Sequence, residues 1–323
     1  MQVSNNGKPP LAESLQTEAN EGLDNASQIK KIERYSRARE RASNIISHVD
    51  EEFQKTGSPY LEQVRDGLIE CGNYLHFRNY YTIGETRLHS ASFCKKHLFC
   101  PLCAIRRASK SLSSYLDRYK VITSENASLV PYMITLTVKN GDSLSERYDH
   151  LVSTLKKLTK NRTRYLASKT ERHKTEFAKI KGAVGSYEFT NKGNGWHPHV
   201  HIIALVNRED TISEDLLTQE WLKASGDSFI VDVRPIEDEN DPDNENPISG
   251  FVEVFKYALK FSDLSFQEQI HAALTLKSRR LLFSIGLFRG VVVPESLLDE
   301  PIESLPYLDL LYRFIDGTYQ LRD

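Results

Sequence analysis

The stretch from Trp196 to Val206 reads Trp-His-Pro-His-Val-His-Ile-Ile-Ala-Leu-Val. In a β-strand successive side chains alternate between faces, so His197, His199 and His201 share one face while Val200 and Ile202 point into a core. Imidazoles gathered on the face of a sheet are metal-ligand chemistry. The run from Lys181 to Phe189 is a second strand candidate, and Lys192-Gly-Asn-Gly195 between them is a turn signal. With Gly193 and Asn194 at the tip, Glu188 stands opposite His199, Ser186 opposite His201 and Thr190 opposite His197. Cross-strand partners lie ~4.5–5.5 Å apart at Cβ, close enough for Glu188 to share a cation with His199. Residues two apart on a strand lie roughly 6.6 Å apart, a gap two imidazoles can bridge around one ion. His197 and His201 lie twice as far apart. The expected ligands are therefore His199, His201 and Glu188, with His197 as the alternative. Such a shell with open positions suits manganese, magnesium or zinc.

A second set of ligands comes earlier. Cys71 is followed by Cys94-Lys-Lys-His-Leu-Phe-Cys100-Pro-Leu-Cys103, and these four are all the cysteines of the chain. A Cys-Pro-x-Cys turn puts two thiolates on one small loop, and four thiolates close a tetrahedral zinc shell, so the expected zinc is structural. His97 and His89 are the substitutes if one cysteine is not a ligand.

The third feature is Gly250-Phe-Val-Glu253-Val-Phe-Lys256-Tyr257-Ala-Leu-Lys260-Phe. At helical spacing Glu253, Tyr257 and Lys260 fall on one face. A tyrosine in a helix is ordinarily a half-buried core residue. A carboxylate one turn before it could handle a proton, and lysines around it favour the phenolate and offset phosphate charge.

The elements that must position these groups follow from the patterning. Residues 129–139 alternate Met133, Thr135 and Thr137 with Ile134, Leu136 and Val138, which marks a strand with one apolar face. Asn140-Gly141 ends it, and Ser143 or Ser145 can cap a long helix from Leu144 to about Ser168. A helix spans Ala26 to Lys55, and another starts near Arg106. Lys156, Lys157 and Lys160 belong to a strongly basic middle of the chain, and with Arg106 and Arg107 they are candidate contacts for a polyanion. Residues 237–247 carry no apolar side chain but for the ring of proline and read as an exposed acidic loop. Tyr307 to Tyr319 reads as a terminal hairpin around Asp316-Gly317.

The chain has 323 residues and a formal net charge of −2. No apolar run approaches the ~18 residues of a membrane span, and the polar start carries no signal-peptide core; the expected location is the bacterial cytoplasm, with no membrane partner. The expected organisation is a disordered tail over 1–26, a helical segment with the four-cysteine site over 27–125, a catalytic domain over 126–295 and a C-terminal extension over 296–323.

Ile-Thr-Leu-Thr (134–137), His-Pro-His-Val-His (197–201) and Glu253-x-x-Lys256-Tyr257 together resemble, in order, the three motifs of the rolling-circle plasmid replication initiators. Within these HUH endonucleases the chain is most similar to the single-tyrosine, small-plasmid group. The segment ending Cys-Pro-x-Cys-x-x-Arg-Arg and Val231-Asp-Val-Arg-Pro-Ile236 resemble that group too, and the likeness runs from about Cys71 to Gly290. The resemblance implies an α+β fold of the HUH type: a central antiparallel sheet carrying the histidine strand, flanking helices and an N-terminal helical, zinc-binding segment. It implies a metal, manganese or magnesium, on His199, His201 and Glu188. It further implies attack by Tyr257 on origin DNA, single-stranded or extruded as a hairpin, giving a 5′-phosphotyrosine link and a 3′-OH primer. Glu253 would activate water for termination, Lys256 and Lys260 would assist, and host helicase and polymerase are the implied partners. The rival readings are a related single-strand transposase, a metallohydrolase built on the His-x-His pair, and a non-catalytic zinc-bearing DNA-binding protein.

Overall fold

The computed structural model describes residues 25–236, 247–255, 264–302 and 304–322. Tyr257, Lys256 and Lys260, the tail over 1–24 and most of the acidic loop lie outside the described residues. In chain order the elements are α1 (Asn25–Asn44), α2 (Ile46–Thr56), α3 (Pro59–Glu70), β1 (Tyr74–Tyr80), β2 (Glu85–Ala91), α4 (Pro101–Glu125), β3 (Leu129–Thr137), α5 (Leu144–Ser168), β4 (Ile180–Asn191), β5 (Trp196–Asn207), α6 (Glu214–Ser225), β6 (Ile230–Pro235), α7 (Pro247–Phe255), α8 (Phe266–Leu276), β7 (Leu282–Gly286), β8 (Leu308–Ile315) and β9 (Thr318–Arg322). The protein is thus α+β with antiparallel sheets. Two compact units comprise residues 1–111, 266–273 and 293–323, and residues 112–265 and 274–292.

In the first unit the helix expected over 26–55 runs as α1 and α2, which meet at Ile45 with its backbone in the right-handed helical region and its N–H donated to Arg41 O at 3.3 Å. Ile32, Tyr35, Ala38 and Ala42 recur at helical spacing and are buried, as are Ile45 and Val49. Gly57, at φ 64°, ends α2 in the left-handed region and donates its N–H to Phe53. Pro59 then opens α3 at a position where its missing N–H costs nothing. The sheet of this unit runs β2-β1-β8-β9. The C-terminal stretch is therefore no separate extension: β8 pairs with β1, Phe77 opposite Leu310. Its hairpin turns at Asp316 (φ 49°) and Gly317 (φ 80°), both left-handed as a tight two-residue turn requires.

The second unit is built on a five-stranded sheet in the order β6-β3-β5-β4-β7. The histidine strand β5 is central, with β3 on one side and β4 on the other. One face carries α5, whose Tyr148 packs on Tyr187 and Phe189 at 5.9 and 6.0 Å between ring centroids. Ser143 and Glu146 start that helix in the spacing of a capping box, Ser143 accepting from the Glu146 N–H. The other face, which holds the histidines, receives α7: Phe251 and Phe255 meet Tyr119 and Tyr115 at the end of α4. Among the described residues no helix is long and apolar enough to cross a membrane.

Candidate functional site

Residue alternation and the Lys192–Gly195 turn fix which side chains of the β4–β5 hairpin can meet. The register pairs Glu188 with His199, Ser186 with His201 and Thr190 with His197, as the turn predicts. Gly193 and Gly195 take φ 90° and 78°, conformations that favour glycine. The Glu188 carboxylate is 2% exposed and its Oε2 lies 3.2 Å from Nε2 of both His199 and His201. A carboxylate this deep in a sheet is tolerated only with charged or hydrogen-bonding partners, and here both partners are imidazoles turned toward one point.

The neighbouring strand completes the setting. Thr135 pairs with His201 across β3–β5, and its hydroxyl lies 3.2 Å from His201 Nδ1. That contact holds the ring so that Nε2 faces Glu188. From the opposite direction α7 brings Glu253 Oε1 to 3.8 Å from His201 Nε2. Gly250 makes this approach feasible. A Cβ there would come within 2.6 Å of Ile236 Cδ1 and 2.9 Å of Ile203 Cδ1, and Ile203 lies on the histidine face two residues after His201. Glu253 then follows one turn later.

His197 stands apart. Its Nδ1 is 2.6 Å from Asn140 Oδ1, and the ligand atoms within bonding range of one ion are those of Glu188, His199 and His201. Two nitrogens and a carboxylate oxygen fit a divalent cation that keeps further positions for other ligands. The second nitrogen of His201 held by a threonine is the kind of outer contact that ligating histidines keep.

In the first unit the four cysteines converge. Cys71 closes α3, Cys94 follows β2, and Cys100 and Cys103 bracket the first residues of α4. Sulfur separations are 3.6 Å for Cys71–Cys100 and 3.5 Å for both Cys71–Cys103 and Cys94–Cys103. A tetrahedron with ~2.3 Å zinc–sulfur bonds has edges of ~3.8 Å, whereas a disulfide needs ~2.05 Å. The donor set fits zinc. Hydrogen bonds from Cys100, Cys103 and Cys71 draw the Cys94 thiol well below the ordinary range, and those same sulfur contacts together with burial push Cys100 up. Gly72 follows Cys71 at φ 70°, where a Cβ would strike Leu102 and Tyr319. His97 and His89 are not in the cluster; burial, with the Arg107 charge behind it, pushes His97 down to about 4.

One expected DNA contact is corrected. Arg106 is 2% exposed and donates to Leu297 O at 2.8 Å, Tyr35 Oη at 3.1 Å and Asp299 Oδ1 at 2.6 Å. Its guanidinium is an internal brace. Arg107, Lys156, Lys157 and Lys160 are exposed, although Lys157 also donates to Ala224 O. A hydroxyl on the strand beside the histidines is the one signal for the Thr135 contact, and nothing local points to the Asn140 contact with His197.

Fold and site together define an α+β protein with a histidine–carboxylate centre on an antiparallel sheet and a separate four-cysteine cluster. A family model described as "Replication protein" matches residues 85–305. The chain belongs to that family, and its reading as a plasmid replication initiator stands. A protein named "Protein rep" from Bacillus sp is 27% identical over 241 residues, covering 68% of this chain and 74% of that protein. Proteins of the same name from Staphylococcus aureus and Lactiplantibacillus plantarum are 27% and 33% identical, over 65% and 51% of this chain and 89% and 50% of theirs. No solved structure matches the chain.

Proposed function

We propose that the protein is a metal-dependent, site-specific nickase and strand transferase of the HUH type that starts rolling-circle replication of a plasmid in the bacterial cytoplasm. The observation that carries this reading is the meeting of Glu188, His199 and His201 under Glu253 of the helix that leads to Tyr257. A divalent cation, manganese or magnesium, held by those three side chains would polarise the scissile phosphate. Tyr257 attacks that phosphate: a bond forms between its phenolic oxygen and phosphorus, the bond to the 3′ oxygen breaks, and the phenolic proton leaves as the 3′ oxygen gains one. The products are a 5′-phosphotyrosine and a 3′-OH for the polymerase. For termination Glu253 takes a proton from water as the water oxygen bonds to phosphorus, the bond from phosphorus to the Tyr257 oxygen breaks, and that oxygen regains a proton, freeing a 5′-phosphate end. Lys256 and Lys260 supply positive charge near the phosphate, and Thr135 and Asn140 orient His201 and His197. Zinc on Cys71, Cys94, Cys100 and Cys103 holds the first unit together. Origin DNA is the substrate, single-stranded or extruded, with host helicase and polymerase acting downstream.

The test is cleavage of a labelled single-stranded oligonucleotide from the replicon's origin with manganese, followed on a denaturing gel. Cleavage is expected from the wild type and lost on chelation, in Glu188→Gln and in His199→Ala. Undiminished cleavage in Glu188→Gln and His199→Ala together would overturn the metal site.

A further inference from the structure

The four-stranded sheet of the first unit has two unlike faces. Leu75, Phe77 and Leu88 are buried on the inner one, where Phe77 meets Tyr312 at 5.9 Å and α1 lays Arg39 over Phe314. The outer face carries Tyr74 and Leu311 among charged side chains in which cations outnumber anions. Alternation on β1 turns His76 and Arg78 outward, and the register sets Arg87 of β2 beside Arg78 and Asp309 of β8 on its other side. Arg313, four residues on from Asp309, and Arg322, opposite Leu311 on β9, share that face.

The charge is lopsided. Four guanidinium groups face two carboxylates: Asp309, shared by His76 at 2.8 Å and Arg78 at 3.6 Å, and Glu85, taken by Arg87. Arg313 and Arg322 are exposed with no ion pair among the described residues. This excess sits in a chain whose formal net charge is −2. A solvated sheet face needs no such bias.

We infer that this face docks duplex DNA of the origin, gripping phosphates on both sides of a groove while the histidine site cuts elsewhere on the same substrate. The inference rests on the nickase reading. Spacing favours a duplex. At ~3.3 Å per residue and ~4.8 Å between strands, Arg78 and Arg313, four residues and one strand apart, stand about 14 Å from one another. The major groove is ~12 Å wide and admits β-strands. Single strands are held on aromatic platforms, and here the Tyr307 ring already lies 4.1 Å beneath Arg78.

The experiment measures binding of the full chain to a fluorescent origin duplex over a range of salt, with cleavage of the single-stranded oligonucleotide as the second readout. Arg313→Gln with Arg322→Gln is expected to weaken duplex binding at least tenfold at ~0.1 M salt and to flatten the log–log salt slope by roughly 2, about 0.9 per phosphate contact. Single-strand cleavage should be unchanged, which also reports an intact fold. Arg313→Lys with Arg322→Lys, which keeps the charge, should keep the slope. An unchanged slope in the glutamine variant, or an equal loss for single-stranded DNA, would overturn the duplex surface while leaving the nickase reading intact. A wild type that binds the duplex but never cleaves would instead sink the nickase reading.

Discussion

At the scale of single residues the site depends on side chains that fix other side chains. Thr135 acts on His201 through Nδ1, so Thr135→Val should keep the fold and lower manganese affinity by about 10–100-fold, the usual cost of losing a ligand's outer contact. A manganese titration equal to wild type would remove Thr135 from the site. Arg106 and Arg107 make a sharper pair. Arg106→Ala removes a buried guanidinium and its bonds to Leu297 O, Tyr35 and Asp299, and should destabilise by about 1–3 kcal/mol, with Lys110 still 3.5 Å from the part-exposed Asp299; Arg107→Ala, on the surface, should stay within ~0.5 kcal/mol. Denaturant melts of the two variants check this. Nothing local distinguished these two arginines in the sequence, because the group that buries one of them is almost two hundred positions away.

At the scale of elements, what was legible was what local chemistry dictates. The β4–β5 hairpin announced itself through a glycine-rich turn and strict alternation, and Glu188 fell into place from the register alone. The helix Leu144–Ser168 was readable from its Ser-x-x-Glu start. By contrast β1, reading Tyr-Leu-His-Phe-Arg-Asn-Tyr, pairs with β8, which lies over two hundred residues later. Pairing at that range leaves no mark in a short window. Helix α7 offers the prediction that belongs here. Gly250→Val should push it off Ile203 and Ile236 and carry Glu253 away from His201. Glu253→Ala alone should leave strand joining intact while hydrolytic release from the protein falls, as quantified by the ratio of joined to free product. In Gly250→Val both reactions should fall. Release unchanged in Glu253→Ala would take termination away from that carboxylate.

At the scale of the molecule the chain carries two groups of side chains that could each hold a metal ion, one in each unit. The four-sulfur cluster joins the end of α3, the loop after β2 and the start of α4. Zinc binding in such sites is folding free energy, on the order of 10 kcal/mol. Removing zinc with a chelator, or by Cys100→Ser with Cys103→Ser, should expose amides in residues 59–111 to rapid hydrogen exchange while β3, β4 and β5 stay protected. Full protection after zinc loss would refute a structural role. The division also fits the amino-acid chemistry: thiolates that close a shell, and imidazoles with a carboxylate that leave it open.

In the proposed reaction the histidine centre serves a tyrosine nucleophile. Incubation with manganese and origin single-stranded DNA, digestion with trypsin and mass spectrometry of the DNA-linked peptide tests it directly. The expected result is a 5′-phosphate on Tyr257, absent in Tyr257→Phe and in His199→Ala. An adduct on another residue, or one that persists in Tyr257→Phe, would contradict it.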